Sequence, residues 1–152
     1  MDFVESKLVE LKETIVDDIK KEVIAFINSE GGNLYVGVAD DGHVIGLDDP
    51  QSDMLRLTNM IRDTIKPDAT MFVECQIEKI DTKDIVRVQV QKGTHAPYYL
   101  VGKGIRPEGV FVRQGTSSVP ASEDAIRRMI KESDGDCFET MRSLNQDLSF
   151  ET

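Results

Sequence analysis

Apolar side chains recur every three or four positions in three segments of the chain, which is the spacing of one face of an α-helix. These segments predict helices over about 15–29, 52–66 and 123–132. Thr14 is expected to cap the first helix, because its hydroxyl can accept a hydrogen bond from a free backbone N–H group. The apolar positions that carry the first two patterns are Ile15, Ile19, Val23, Phe26, Ile27, Met54, Leu57, Ile61 and Ile65.

Two hairpins are predicted around the second helix. Asp41-Gly42 separates two short β-prone runs and favours a tight turn between them. Alternation of apolar and polar residues over 71–77 and 86–90 predicts another hairpin with one buried face, joined by the turn 81–84. A further strand is expected at 110–113. The runs beside Asp41-Gly42 are 34–38 and 44–47.

This order of elements predicts the α+β class, with a mixed, largely antiparallel sheet of about five to six strands and three packed helices. We assign residues 1–132 to one domain and 133–152 to an acidic linker or tail toward a C-terminal regulatory part. No apolar run is long enough to span a bilayer. Cys75 and Cys137 are expected to be free thiols in a reducing compartment, so we predict a cytoplasmic protein without membrane contact.

The net charge of -10 is unevenly distributed along the chain. Residues 1–91 carry 10 basic and 19 acidic residues, whereas 92–131 carry 7 basic and 3 acidic residues. The remaining residues, 132–152, hold one Arg and six acids. Because phosphate binding needs clustered Lys and Arg, the overall charge opposes nucleic-acid binding but the segment 92–131 favours it.

Three acidic residues, Glu5, Glu10 and Asp40, form a candidate metal site. Hard cations such as Mg²⁺ or Mn²⁺ prefer carboxylate oxygens, and a bound cation could activate water against a phosphodiester. In a chain with 28 acids the alternative is an ordinary solvated surface. No cofactor is assigned with certainty on this basis.

The segment Arg113–Ser118 is a candidate phosphate-binding turn. An Arg fork, hydroxyl groups and a Gly-permitted turn can hold a phosphate by charge-assisted hydrogen bonds. The alternative is a polar loop before a helix. The phosphate-binding motifs GxxxxGK[ST] and GxGxxG are both absent from the sequence.

The Gly- and Pro-rich loop 93–109 and the helix after it supply the other candidate contacts. Tyr98 could stack on a base while nearby cations hold the backbone, or it could pack in the core with its hydroxyl group bonded. The complete predicted nucleic-acid-binding set is Lys92, Tyr98, Lys103, Arg106, Arg113, Thr116, Ser117, Ser118, Arg127 and Arg128.

Four segments together resemble the Schlafen AlbA-type domain, also called the divergent AAA domain of bacterial RecG-like transcriptional regulators. They are Glu5–Lys12, Ala25–Gly46, Pro97-Tyr98-Tyr99 and Val112–Ser118. The most specific is the second, which reads as a helix, Asn-x-x-Gly-Gly, a strand and a Gly-Val-x-Asp-x-Gly turn. The resemblance covers about residues 5–132.

The resemblance implies a DNA- or RNA-binding module, usually followed by a winged-helix-like regulatory part. In animal Schlafen ribonucleases the matching positions of Glu5, Glu10 and Asp40 are catalytic, which implies a Mg²⁺- or Mn²⁺-dependent endoribonuclease as an alternative. Those nucleases use two such modules, so a homodimer is expected if this chain works similarly. A dimerisation or protein-interaction module is the third hypothesis.

Overall fold

The computed structural model describes residues 3–133, and within this range the predicted α+β class is confirmed. Three helices pack with mostly antiparallel strands. The helices are α1 (Ile19–Asn28), α2 (Pro50–Thr64) and α3 (123–133). The strands are β1 (Val9–Lys12), β2 (Gly32–Val36), β3 (Ile65–Lys66), β4 (Val73–Ile80), β5 (Lys83–Val90), β6 (Tyr99–Leu100), β7 (Phe111–Gln114) and β8 (Ser117–Pro120).

The strands form one four-stranded sheet and two small pairs rather than a single sheet of five to six strands. The large sheet has the order β1-β2-β5-β4, in which β1 and β2 are parallel and the other neighbours antiparallel. Strands β3 and β6 form one pair, and β7 and β8 form the other. The short pairs extend the fold beyond the main sheet and carry much of the segment 92–131.

The main core lies between one face of the large sheet and helices α1 and α2. Leu34 and Val86 on the sheet are fully buried, as are Phe26 on α1 and Leu57 on α2. Burying each of these side chains contributes about 1.5–3 kcal/mol. The apolar spacing that predicted the helices is therefore the set of positions that face this core.

Helix α1 is shorter than predicted and begins at Ile19 instead of near residue 15. Ile15 is buried, but it packs from the turn that precedes the helix. Asp18 occupies the N-cap position without a side-chain hydrogen bond, so the predicted Thr14 cap is wrong. Because Ile15 also packs in the core, the apolar pattern begins before the helix does. The pattern alone therefore does not show where α1 starts.

The end of α1 is fixed by glycine. The N–H of Gly31 donates to the carbonyl oxygen of Phe26 at 2.8 Å, and Gly31 has a φ of +78°. A Cβ at Gly31 would lie 2.5 Å from the carbonyl oxygen of Val90. Both the left-handed backbone and the close approach of β5 therefore require glycine here.

The first predicted hairpin forms only in part, whereas the second is confirmed. Strand β2 pairs with β1 and β5. The two runs beside Asp41-Gly42 are joined by a Val38–Val44 bridge and by the N–H groups of Ile45 and Gly46, which donate to the carbonyl oxygen of Gly37 at 2.8 and 2.9 Å. Strand β2 pairs with β5 over five residue pairs, whereas the two local runs share a single bridge pair. The second hairpin is β4–β5, with Asp81 and Thr82 at positive φ in its turn.

The remaining predicted elements fit closely, but the structure adds four strands. Helix α2 starts two residues early, where the Asp49 carboxylate accepts from the N–H of Ser52 at 3.2 Å. Ser122 precedes α3, and its hydroxyl oxygen accepts from the N–H of Ala125 at 3.0 Å, as expected for a cap. The four additional strands are β1, β3, β6 and β8. Of these, β8 follows Arg113 where the sequence favours a polar loop.

Among residues 3–133 there is no helix with the length and apolar character needed to cross a bilayer. Cys75 on β4 is a half-buried free thiol, and burial raises its pKa to about 11. Cys137 and the predicted linker beyond Ser133 lie outside the described residues.

Candidate functional site

Arg113 on β7 is buried rather than available at the surface. Its side chain has no solvent exposure, and its guanidinium carbon lies 4.9 Å from the centre of the Phe26 ring. The guanidinium donates to three backbone carbonyl oxygens of the N-terminal segment. They belong to Ser6 at 2.8 Å, Val9 at 3.0 Å and Lys7 at 3.3 Å.

The remaining donor of Arg113 faces two carboxylates. Its Nη1 lies 2.8 Å from Oε1 of Glu10 and 3.3 Å from Oε1 of Glu22. The same nitrogen donates to the hydroxyl oxygen of Ser118 at 3.0 Å, and that hydroxyl in turn donates to Glu22. Every nitrogen of the guanidinium is thus bonded within the domain, and an external phosphate could reach it only by breaking these bonds.

Lys12 completes the buried ion cluster, which we define as Glu5, Glu10, Lys12, Glu22 and Arg113. Lys12 Nζ lies 3.2 Å from Glu22 and 3.6 Å from Glu10. Glu10 and Lys12 are two positions apart on β1, so their side chains lie on the same face of the strand, toward α1. They pair with the core positions Leu34 and Val36 of β2. Lys12 and Glu22 are absent from the predicted site residues: Lys12 ends the Glu5–Lys12 segment without a predicted role, and Glu22 lies in none of the four segments.

The three carboxylates of the buried ion cluster outnumber its two cations. This excess of negative charge affects the pKa of Glu10. Burial and the negative charge of Glu22 raise the pKa of Glu10 to about 7, although Arg113 opposes the shift. The neighbouring carboxylates also raise the pKa of Lys12 against the effect of its own burial. Glu10 therefore exchanges a proton near neutral pH.

The predicted metal trio does not converge. Glu5 accepts a hydrogen bond from the N–H of Leu11 at 3.2 Å, and Glu10 is paired with Arg113 and Lys12. Asp40 is exposed beyond the end of β2. Within residues 3–133 no three His, Cys, Asp or Glu side chains are arranged to hold a metal ion. The trio does not fit a Mg²⁺ or Mn²⁺ site, because Glu10, its one buried carboxylate, already faces Arg113 and Lys12.

The predicted phosphate-binding turn is the tip of the β7–β8 hairpin. Thr116 and Ser117 are exposed there, next to Gly115 with a φ of +60°. Arg113 and Ser118, the residues expected to join them, point inward to the buried ion cluster. The turn therefore presents hydroxyl groups to solvent without the Arg fork that the prediction required.

Tyr98 belongs to the core, which confirms the packing alternative and not the stacking one. It is 1% exposed, and its hydroxyl oxygen accepts from the N–H of His95 at 3.2 Å. Asn28 of α1 holds this region together, because its amide bonds the backbone of both Tyr98 and Phe111 at 2.8–3.0 Å. The Asn-x-x-Gly-Gly motif contained Asn28, but its partners are 70 and 83 positions away.

The other predicted cations are exposed and lie around α3. A groove of about 480 Å³ runs between α3 and the turn 105–108, and both Arg106 and Arg127 line it. Lys103 belongs to the same turn region, and Arg128 lies on α3 outside the groove. Lys92 is exposed at the start of the loop whose Ala96 carbonyl accepts from Ser133 at the end of α3.

These features define an α+β domain with a buried ion cluster at one sheet edge and exposed cations around its last helix. Residues 5–122 match the family described as Schlafen, AlbA_2, and the chain belongs to this family. No curated protein matches the chain.

Two solved structures share the fold. One is the N-terminal domain of a protein from Nitrosomonas europaea named as related to the ATP-dependent DNA helicase RecG. It is 26% identical with a TM-score of 0.52, covering 72% of this chain and 78% of that one. The other, from Corynebacterium diphtheriae, is 20% identical with a TM-score of 0.57 over 76% of this chain. The chain spans 25% of that protein.

Proposed function

We propose that this chain is a DNA- or RNA-binding domain of a regulatory protein and that it contacts the phosphate backbone through exposed cations around α3. The observation that carries this proposal is the position of the basic segment. The exposed cations of the predicted binding set lie on α3 or on the loops packed against it: Lys92, Lys103, Arg106, Arg127 and Arg128. The name of the RecG-related neighbour supports the same direction.

Lys103 and Arg128 are the principal phosphate contacts in this proposal. Both are exposed, and neither lines the groove in which the carboxylates of Glu108 and Glu123 would repel a phosphate. Arg113 is excluded from the contact set because its guanidinium is occupied inside the domain. Thr116 and Ser117 can add hydrogen bonds to phosphate oxygens.

This type of contact reads charge rather than base sequence. Binding is therefore weakly sequence-specific and falls steeply as salt rises, because each neutralised phosphate releases counterions. Residues 1–91, in which acidic residues outnumber basic ones, also repel the nucleic acid. An isolated copy is expected to bind weakly at physiological salt.

Fluorescence anisotropy with labelled single-stranded and duplex oligonucleotides at low salt tests the proposal. The double variant Lys103→Ala/Arg128→Ala should weaken binding about tenfold or more for every sequence. The control is Arg56→Ala/Arg62→Ala, which removes the same charge from α2, where both arginines are exposed. An absence of binding by the unaltered chain, or equal losses in both double variants, would reject the proposed function.

A further inference from the structure

The groove beside α3 has an isoleucine on each of its two walls. Ile105 is 47% exposed and Ile130 is 37% exposed, and Ile126 lies buried between the two walls. Isoleucines that share one groove form an apolar surface that a protein partner could bury.

Four charged side chains surround these isoleucines, and the two signs are balanced. Arg106 and Arg127 supply two positive charges, and Glu108 and Glu123 supply two negative charges. Among residues 3–133, ion pairs include Arg127 with Asp124 but do not include Arg106, Glu108 or Glu123. An apolar centre with a rim of both signs, on which only Arg127 has an ion-pair partner among residues 3–133, resembles a protein contact and not a phosphate site.

We propose that this groove is the contact surface of a homodimer. A two-fold contact requires a surface that complements itself, and a groove with matched Arg and Glu on its rim meets this requirement. Two α3 helices that cross antiparallel place Glu123 of one protomer toward Arg127 of the second copy, and the reverse. Ile105 and Ile130 of both copies are then removed from water.

The proposed dimer also enlarges the basic surface, a consequence that rests on the proposed function. It assigns Arg106 and Arg127 to the interface and leaves Lys103 and Arg128 at its border. The two-fold axis repeats the latter pair, so one nucleic acid could contact cations of both copies. Two linked sites bind far more tightly than one.

Sedimentation velocity of the full chain without nucleic acid, over a wide concentration series, tests the dimer. Glu123→Arg and Arg127→Glu should each raise the dimer dissociation constant about tenfold or more, because each places like charges across the contact. The combined variant Glu123→Arg/Arg127→Glu should recover the dimer, since the two-fold axis then pairs the exchanged charges again.

Two further variants keep the test decisive. Glu132→Arg makes the same charge change on an exposed part of α3 outside the groove and should leave the dimer unchanged. Ile130→Ser should weaken the dimer without a charge change, and circular dichroism checks that the helices persist in every variant. A monomer at all concentrations, or a dimer that none of the groove variants weakens, overturns the proposal. Because these measurements contain no nucleic acid, their outcome is independent of the proposed function.

Discussion

Arg113 and Arg128 belong to the same basic segment, but the fold gives them opposite environments. The Arg113 side chain is fully buried and bonds three carbonyl oxygens and two carboxylates. Arg128 is exposed on α3. The comparison shows that the charge count of a segment overstates its capacity for phosphate, because a buried cation is neutralised within the protein.

The largest expected effect comes from removing the buried cation. Arg113→Met should lower the free energy of unfolding by about 3–5 kcal/mol, because it leaves two buried carboxylates and three carbonyl oxygens without their donor. Urea denaturation measures the difference. Arg128→Met is the matched control and should cost less than about 0.5 kcal/mol. Similar losses in the two variants would remove the contrast between the two environments.

The pH dependence of stability should expose Glu10. Since the folded protein raises its pKa to about 7 from an ordinary 4.5, the folded state binds the proton more tightly than the unfolded state. Stability from this group is therefore present at acidic pH and is lost as pH rises toward and through 7. On the order of 3 kcal/mol should disappear between the ordinary pKa of 4.5 and the folded-state pKa of about 7.

Glu10→Gln should flatten that profile, because glutamine does not titrate. The measurement is the free energy of unfolding in urea at pH values on both sides of neutrality. The difference between the unaltered chain and the variant isolates Glu10 from other groups. If both proteins show the same slope between about pH 5 and pH 8, Glu10 does not hold its proton as described.

Lys12 lies between the two extremes, and its effect should be intermediate. Its side chain is 21% exposed, so solvent screens part of its attraction to Glu10 and Glu22. Lys12→Met should cost about 1 kcal/mol and should raise the pKa of Glu10 further, because one of its two cationic neighbours is lost. NMR titration of the Glu10 carboxyl carbon measures this pKa. A lower pKa of Glu10 in the Lys12→Met variant would contradict the attraction between Lys12 and Glu10.

Local signals made part of the fold predictable. The β4–β5 hairpin combines alternation with a turn at Asp81-Thr82, and α2 and α3 carry both a periodic apolar face and a capping residue. The pairing of β2 with β1 and β5 depends on strands distant in the sequence. The prediction therefore follows the local Asp-Gly turn signal and does not include the pairing of β2 with these distant strands.

The site was less predictable than the fold for the same reason. Arg113 bonds the Ser6 carbonyl oxygen 107 positions earlier, and nothing in the Arg113–Ser118 motif indicates this contact. Arginine is ordinarily exposed, which favoured a phosphate-binding role. For Tyr98 the packing alternative could be stated from the sequence, because a buried tyrosine needs only a partner for its hydroxyl group.

The salt dependence of nucleic-acid binding tests the central claim most directly, namely that exposed cations around α3 hold the phosphate backbone. The logarithm of the dissociation constant is measured against the logarithm of salt concentration for the unaltered chain and for Lys103→Ala/Arg128→Ala. The account predicts that the slope for a duplex falls by about two in the double variant, because two phosphate contacts are lost. An unchanged slope would contradict it.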